Sequence, residues 1–197
     1  MSNELKDMSN EKLWKLFPII LKPHNSNYKI WYKKEKKDLI KFIGFKRIKR
    51  ISHIGSTYIT DLVAKPTIDI LLEVDKEIDL KELKQTLTNR KYICLEQTDA
   101  FSNSSLMCMK GYTNKGFSEK VFHLHIRLYN NHRELYFRDY LQDHPNIAKE
   151  YEKIKIKLAK KYRNHRDNYT SAKTDFINKY TDLAMVIYKD RYKPITE

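Results

Sequence analysis

The sequence predicts an α+β domain in which a mixed β-sheet is flanked by helices and the C-terminal part is helical. Residues 67–74 form a short apolar run rich in β-branched side chains, and residues 120–128 alternate between apolar and polar side chains, so both are predicted strands. Residues 28–43 and 145–162 instead place apolar side chains at helical spacing. Because the strands come before a helical C-terminal stretch, the class is α+β.

The remaining elements follow from local signals. Pro18 within the apolar stretch 12–21 and Pro23 just after it prevent a long helix there, so the stretch is predicted to be an irregular lead-in. Further predicted elements are strands at 47–54, 91–96 and 105–112, a helix that begins after the capping residue Asp79, a helix at 134–142, one that starts at Pro145 and a last one at 170–189 with Phe176, Tyr180, Leu183 and Ile187 buried.

The 197 residues are predicted to form a single domain with its core at about 13–180, leaving 1–12 and 190–197 frayed. No apolar run approaches the roughly 20 residues that cross a bilayer, and the N-terminus lacks a signal-peptide core. We therefore expect a cytoplasmic protein with no membrane partner.

Basic residues dominate the charge, with 39 Lys and Arg against 25 Asp and Glu and a formal net charge of +14. Such a balance favours polyanions. The lysines are spread along the chain instead of clustered, so we do not expect a nucleic-acid partner.

The two cysteines, Cys94 and Cys108, fall in predicted strands and lack the CxxC spacing of a metal or redox motif. We predict two buried free thiols.

Asp69 is the first candidate site residue. Side chains alternate along the strand 67–74, so Ile68 and its neighbours two apart face a core while Asp69 faces the other way. A carboxylate in a buried strand needs a metal ion, a basic side chain or a ligand as its partner. The preceding Gly55-Ser56 allows a tight turn whose amides and hydroxyl can approach a phosphate.

A second candidate pair, His123 and His125, lies two apart on the strand 120–128 and therefore on one face. This spacing suits one metal ion or a shared phosphate, although ordinary hydrogen-bonded histidines are the alternative. Glu35 on the inward side of the helix 28–43 predicts an ion pair or a neighbouring site. Arg138 beside Asp139 predicts an ion pair or a ligand contact, and Lys173 is either turned toward the site or solvated.

Six short blocks of the sequence match one known family in the same order. The blocks are Leu16-Phe17-Pro18-Ile19 with Trp31 and Glu35; Ile54-Gly55-Ser56-Thr57; Ala64-Lys65-Pro66-Thr67-Ile68-Asp69-Ile70; His123-Leu124-His125; Tyr136-Phe137-Arg138-Asp139-Tyr140-Leu141 with His144-Pro145; and Tyr169-Thr170 with Ala172-Lys173. On these blocks the chain resembles the GrpB family, also called UPF0157, which is placed in the nucleotidyltransferase superfamily.

The resemblance implies a nucleotidyltransferase-like mixed sheet. In that superfamily a Gly-Ser turn holds the triphosphate, two carboxylates two residues apart hold divalent metal, and a third acidic residue comes from a later strand. Gly55, Ser56 and Asp69 match this pattern. Leu71 stands at the second carboxylate position, and the histidine pair stands at the third.

That departure changes the expected chemistry. A divalent Mg, Mn or Zn ion on Asp69, His123 and His125 is possible, with histidine favouring Zn²⁺, whereas a two-metal reaction is poorly supported. Lys65, Arg127 and Arg138 are expected to neutralise phosphate charge. Tyr58 and Asp61 stand where the family usually has a small residue and a Pro-Gly turn. They are expected to narrow the phosphate-binding loop or to add a negative charge that repels the phosphate.

Three functions follow as hypotheses. The first is transfer of a nucleotidyl or phosphoryl group, with Asp69 catalytic. The second is non-catalytic binding of a nucleotide or phosphorylated metabolite, related to coenzyme A because the family is similar to a domain appended to some bacterial dephospho-CoA kinases. The third is nucleic-acid binding driven by charge, which the scattered lysines weaken.

Overall fold

The computed structural model describes residues 5, 7–98, 103–130 and 132–192. The helices are α1 (Asn10–Leu16), α2 (Asn27–Ile43), α3 (Leu80–Thr88), α4 (Arg133–Asp143), α5 (Pro145–Lys161), α6 (Arg166–Ser171) and α7 (Thr174–Ile187), and the strands are β1 (Ile48–Ile54), β2 (Thr67–Val74), β3 (Ile93–Thr98), β4 (Ser104–Thr113) and β5 (Gly116–Leu128). Among the described helices, none combines the length and apolarity that a bilayer crossing requires.

The five strands form one sheet in the order β1-β2-β5-β4-β3. Strands β2 and β5 are parallel, and the other neighbouring pairs are antiparallel. The predicted mixed sheet with flanking helices is therefore confirmed. The β2–β5 register pairs Asp69 with His123 and Leu71 with His125, so the two candidate groups are neighbours on adjacent strands.

The two faces of the sheet have different environments. One face carries Ile68, Ile70 and Leu72, which pack with Leu39 of α2 and Leu83 of α3 in the largest apolar cluster. The opposite face carries Asp69, Leu71 and Glu73, because side chains alternate along β2. Leu71 packs there with Ile54 and with Leu135 of α4, so the C-terminal helices cover the face that holds the candidate site.

The N-terminal and C-terminal expectations need correction. Helix α1 lies inside the stretch expected to be frayed or irregular, and its first turn is capped by the Ser9 side chain, which accepts a hydrogen bond from the Lys12 amide at 3.4 Å. At the other end Arg191 pairs with Asp139 at 3.0 Å, so the chain is anchored as far as this residue. Residues 193–197 lie outside the described residues.

The predicted last helix is in fact two helices, α6 and α7, with Ala172 and Lys173 between them. Leu183 and Ile187 are exposed, contrary to prediction, while Thr181 and Ala184 are buried. All four predicted positions lie within α7, whose buried side runs through Tyr180, Thr181 and Ala184, so Leu183 and Ile187 fall on its solvent side.

The cysteine prediction is also wrong. Cys94 on β3 lies directly opposite Cys108 on β4, and the two form a disulfide bond. Alternation places each cysteine on a face, but the register that brings the two together comes from pairing of the strands.

Candidate functional site

Asp69 lies against the turn that follows β1. Gly55 adopts φ 71°, a conformation that L side chains rarely take, and a Cβ added there would collide with the Asp69 carboxylate. Gly55 is therefore required both by its backbone conformation and by the close approach of Asp69. The predicted association of the Gly-Ser turn with this carboxylate is present in the structure.

Asp69 lies beside both histidines of β5. Its Oδ1 lies within hydrogen-bond distance of His123 Nδ1, at 3.2 Å, and 3.7 Å from His125 Nε2. Burial alone would raise the pKa of Asp69, but the two neighbouring histidines outweigh burial and hold that pKa below its usual range. Asp69 is thus an anion at neutral pH.

His123 connects Asp69 to Tyr112 of β4. Burial lowers the pKa of His123 to about 4, so the ring is neutral at pH 7 and carries one N–H. The arrangement that satisfies both partners has Nδ1–H donating to Asp69 and Nε2 accepting from the Tyr112 hydroxyl, 2.7 Å away. Burial raises the pKa of Tyr112, so its hydroxyl keeps the proton that it donates.

A cavity of about 540 Å³ opens beside these groups, and we call it the Asp69 cavity. It lies between the sheet and the helices α4 to α7. Its charged lining residues are Lys65, Asp69, Arg127, Arg133, Glu134, Arg138, Lys155, Arg166 and Lys173, together with His123 and His125. Basic groups therefore outnumber carboxylates by seven to two.

Lys155, which sequence patterning did not select, extends from α5 to the Gly-Ser turn. Its Nζ donates to Ser56 Oγ at 3.1 Å and to the carbonyl oxygen of Val63. The side chain is buried, and burial lowers the pKa of its amine to about 7. A signal existed in the sequence, because Lys155 follows Tyr151 by one turn on the apolar side of α5.

Lys65 and Lys173 flank the buried ring of Tyr169. Their Nζ atoms lie 5.7 and 4.2 Å from the ring centroid. Burial lowers the pKa of Lys65 to about 8 and that of Lys173 to about 7, with the nearby Arg166 adding to both shifts. The structure thus turns Lys173 toward the cavity, where burial disfavours its charged form.

Arg166 of α6 is the second basic residue that sequence reasoning missed. One guanidinium nitrogen lies 3.4 Å from the Tyr112 hydroxyl, and the other lies 3.5 Å from His123 Nε2. No local pattern in the sequence points to this residue, because its position depends on how α6 folds back over β5.

The two predicted arginines line the cavity but already have carboxylate partners. Arg138 pairs with Asp139 at 2.6 Å and also donates to the carbonyl oxygen of His53 at 3.0 Å. Arg127 lies 3.8 Å from Glu134. Within the part of the chain that the structure describes, none of Lys65, Lys155, Arg166 and Lys173 makes a salt bridge. These four are the cavity's uncompensated basic groups.

Glu35 lies outside the Asp69 cavity, on the opposite side of the sheet. Its Oε1 accepts from Lys110 Nζ at 2.6 Å and from the Tyr92 hydroxyl at 2.8 Å. Of the two alternatives, the ion pair is the one present. Tyr58 and Asp61 line a separate cavity of about 830 Å³, so neither narrows the Asp69 cavity as expected.

The residues expected to hold a divalent metal do not fit one as they stand. Among residues 5, 7–98, 103–130 and 132–192, no three His, Cys, Asp or Glu side chains are arranged to hold a metal ion. Both ring nitrogens of His123 are engaged by Asp69 and Tyr112, and the cavity has an excess of cations. This chemistry favours an anion over a metal cation.

Comparison with known proteins gives the family. A sequence model described as GrpB protein matches residues 18–183. Glutamate-rich protein GrpB of Alkalihalophilus pseudofirmus is 33% identical over 164 residues, covering 81% of this chain and 92% of that protein. UPF0157 protein YqkA of Bacillus subtilis is 34% identical over 146 residues, covering 73% of this chain but only 40% of that protein.

A solved structure agrees with these sequence matches. The crystal structure of conserved protein GrpB from Enterococcus faecalis has a TM-score of 0.73 and 26% identity, covering 86% of this chain and 99% of that chain. The family match extends over most of the described fold, including the β2 and β5 residues that line the Asp69 cavity. The chain belongs to the GrpB family.

Proposed function

We propose that the chain binds a phosphorylated small molecule through its phosphate groups, held in the Asp69 cavity without a metal ion. The observation that carries this proposal is the set of four basic residues, Lys65, Lys155, Arg166 and Lys173, around one cavity without carboxylate partners. Nucleotides and coenzyme A are the candidate ligands, since both carry several phosphate charges.

The energetics favour an anionic ligand. Burying an amine is costly, and the lowered pKa values of Lys155 and Lys173 express that cost, with the nearby Lys65 adding to it for Lys173. A phosphate group that enters the cavity offers each amine a charge-assisted hydrogen bond. Binding therefore offsets part of the free energy that it costs to bury these amines in the empty cavity. Ser56 Oγ lies beside Lys155 and can contact the same phosphate.

Isothermal titration calorimetry in EDTA tests the proposal, with inorganic tripolyphosphate, ATP and coenzyme A as probes. We expect saturable binding of at least one probe, weakened about tenfold or more by Lys155→Gln or Lys173→Gln because each removes a hydrogen bond from a charged donor. Lys157→Gln is the matched control, since Lys157 lies on α5 and is exposed.

Two results would contradict this proposal. One is the absence of saturable binding by any probe when circular dichroism shows folded protein. The other is binding that requires Mg²⁺ or Zn²⁺ and disappears in EDTA, because the cavity would then hold the phosphate through an ion.

A second candidate function is nucleotidyl or phosphoryl transfer, which the contact between Asp69 and the Gly55 turn favours. An acceptor oxygen would attack the phosphorus, the bond to the leaving phosphate oxygen would break, and the acceptor's proton would pass to Asp69. The low pKa of Asp69 makes this carboxylate a weak base, which ranks transfer second. Incubation of the protein with labelled ATP should then label an acceptor, and Asp69→Asn should abolish that labelling. The absence of turnover with any common nucleoside triphosphate would count against transfer.

A further inference from the structure

A second cavity, of about 500 Å³, adjoins the Asp69 cavity, and we call it the aromatic cavity. The two share Lys65, Thr67 and Arg166 in their linings. Each volume falls within the roughly 300–1,000 Å³ of small-molecule sites. A ligand that contacts the shared residues can therefore extend into both spaces.

Five of the 18 residues that line the aromatic cavity carry aromatic rings. Phe17, Tyr112 and Phe117 form a cluster with centroids 4.8, 5.1 and 5.3 Å apart, and Tyr28 and Trp31 contribute a second pair at 5.9 Å. Phe117 is 41% exposed and thus accessible from the solvent. Aromatic side chains are the usual platform on which a planar aromatic group stacks.

Backbone hydrogen bonds connect the segments that line the two cavities. Lys22, at the rim of the aromatic cavity, exchanges backbone hydrogen bonds of 2.8 and 3.0 Å with Ala64, which precedes the shared Lys65. Ile19, in the wall of the aromatic cavity, donates to the carbonyl oxygen of Arg163 at 2.7 Å, and this links the wall to the connection that leads into Arg166. The positions of the two linings are thus set together.

The chemistry changes at the boundary between the cavities. The guanidinium carbon of Arg166 lies 5.8 Å from the ring centroid of Tyr112, while its nitrogens reach the Tyr112 hydroxyl and His123. Charge is thus available on the Asp69 side and aromatic surface on the other.

We infer that the two cavities form one composite site for a phosphate ester or anhydride with a planar aromatic group: the phosphates lie among Lys65, Lys155, Arg166 and Lys173, and the ring stacks in the aromatic cavity. The inference rests on the proposed function and adds to it the class of ligand and the residues that select that class. Phe17, Trp31 and Phe117 then determine specificity without contacting phosphate.

Paired ligands separate the two parts of the site. The affinities of ATP, GTP, CTP, UTP and p-nitrophenyl phosphate are compared with those of inorganic tripolyphosphate and phosphate, by calorimetry in EDTA. We expect at least one aromatic ligand to bind about tenfold tighter than its inorganic counterpart, because a stacked ring adds favourable contact. Ile20 is an exposed apolar residue in the lining of the aromatic cavity. Phe117→Ala and Ile20→Ala should lower the affinity for the aromatic ligand and leave the affinity for tripolyphosphate unchanged. Phe45→Ala, at an exposed ring outside both linings, should change neither affinity.

Fluorescence gives an independent readout that needs no cavity variant. Trp14→Phe leaves Trp31 as the sole tryptophan. A saturating concentration of the aromatic ligand should quench the fluorescence of Trp31, and tripolyphosphate should not. Binding of tripolyphosphate equal to that of every aromatic ligand, or unquenched Trp31 with an aromatic ligand bound, would overturn the composite site while leaving phosphate binding intact. If no probe binds, the proposed function and the composite site fail together.

Discussion

Gly55 and Asp69 constrain each other at the scale of single residues. Gly55 needs its positive φ to turn the chain after β1, and the Asp69 carboxylate occupies the space that a side chain at position 55 would require. Gly44 also has a positive φ, of 94°, but an added Cβ there meets nothing within 4 Å. Comparing substitutions at the two glycines therefore distinguishes the cost of backbone strain from the cost of a steric collision.

We expect Gly55→Ala to lower the free energy of unfolding by more than about 1 kcal/mol, and by more than Gly44→Ala does. Both substitutions place a side chain at a positive φ, but only Gly55→Ala also makes that side chain collide with Asp69. Urea denaturation measures both. Adding Asp69→Ala to Gly55→Ala should cost less than Asp69→Ala costs alone, because the carboxylate that collides is then absent. Equal destabilisation by the two glycine substitutions would show that the collision is relieved by a small shift.

At the scale of elements, the polar face of β2 carries two separate groups. Asp69 at one end faces the cavity, while Glu73 at the other is fully buried and pairs with Arg50 of β1 at 3.2 Å and with His132, before α4, at 3.2 Å. The second group joins β1, β2 and the start of α4 through charge. Arg50 is therefore a structural partner of Glu73.

Arg50→Met should destabilise the fold by about 3–5 kcal/mol, because it leaves the buried Glu73 without its cationic partner. Lys49→Met, which breaks the solvent-exposed pair between Lys49 of β1 and Asp75, should cost far less. Thermal and urea unfolding compare the two. Restoring most of the lost stability with Arg50→Met/Glu73→Met would confirm the cause, whereas a double variant as unstable as the single one would point to lost packing.

At the scale of the whole molecule, the Asp69 cavity is assembled from distant segments. Lys65 precedes β2, Lys155 comes from α5 and Lys173 from the break between α6 and α7. The charged forms of these three amines are disfavoured because the fold buries them away from water. Ligand binding should reverse this effect.

We expect binding of tripolyphosphate at pH 8 to take up protons. With pKa values of about 7, Lys155 and Lys173 are mostly neutral at pH 8 in the free protein, and a bound anion raises those values and draws protons in. Affinity should therefore fall as pH rises from 7 to 9. Calorimetry in Tris and in HEPES reports the uptake as a buffer-dependent enthalpy, which Lys155→Gln should reduce. A buffer-independent enthalpy would contradict this account of the lysines.

Part of the site could be predicted from sequence because strands have a simple period. Alternation placed Asp69 and the two histidines on sheet faces, and β2 and β5 then proved to be neighbours. Helical phase is less informative. The spacing predicted that Glu35 faces the protein interior, but it could not show that the helix packs on the face of the sheet opposite Asp69. Arg166 had no local signal at all, since its role depends on the path of the chain between α5 and α6.

The sequence alone determined the α+β class, the strands that carry Asp69 and His123, and the family. These depend on periodicity and short motifs, which are local properties of the chain. Tertiary structure decided that Cys94 meets Cys108, that Glu35 belongs to a separate ion pair, and that lysines from three segments surround one cavity. Those outcomes depend on strand register and on the packing of helices against a chosen face, which are set by contacts between residues far apart in sequence.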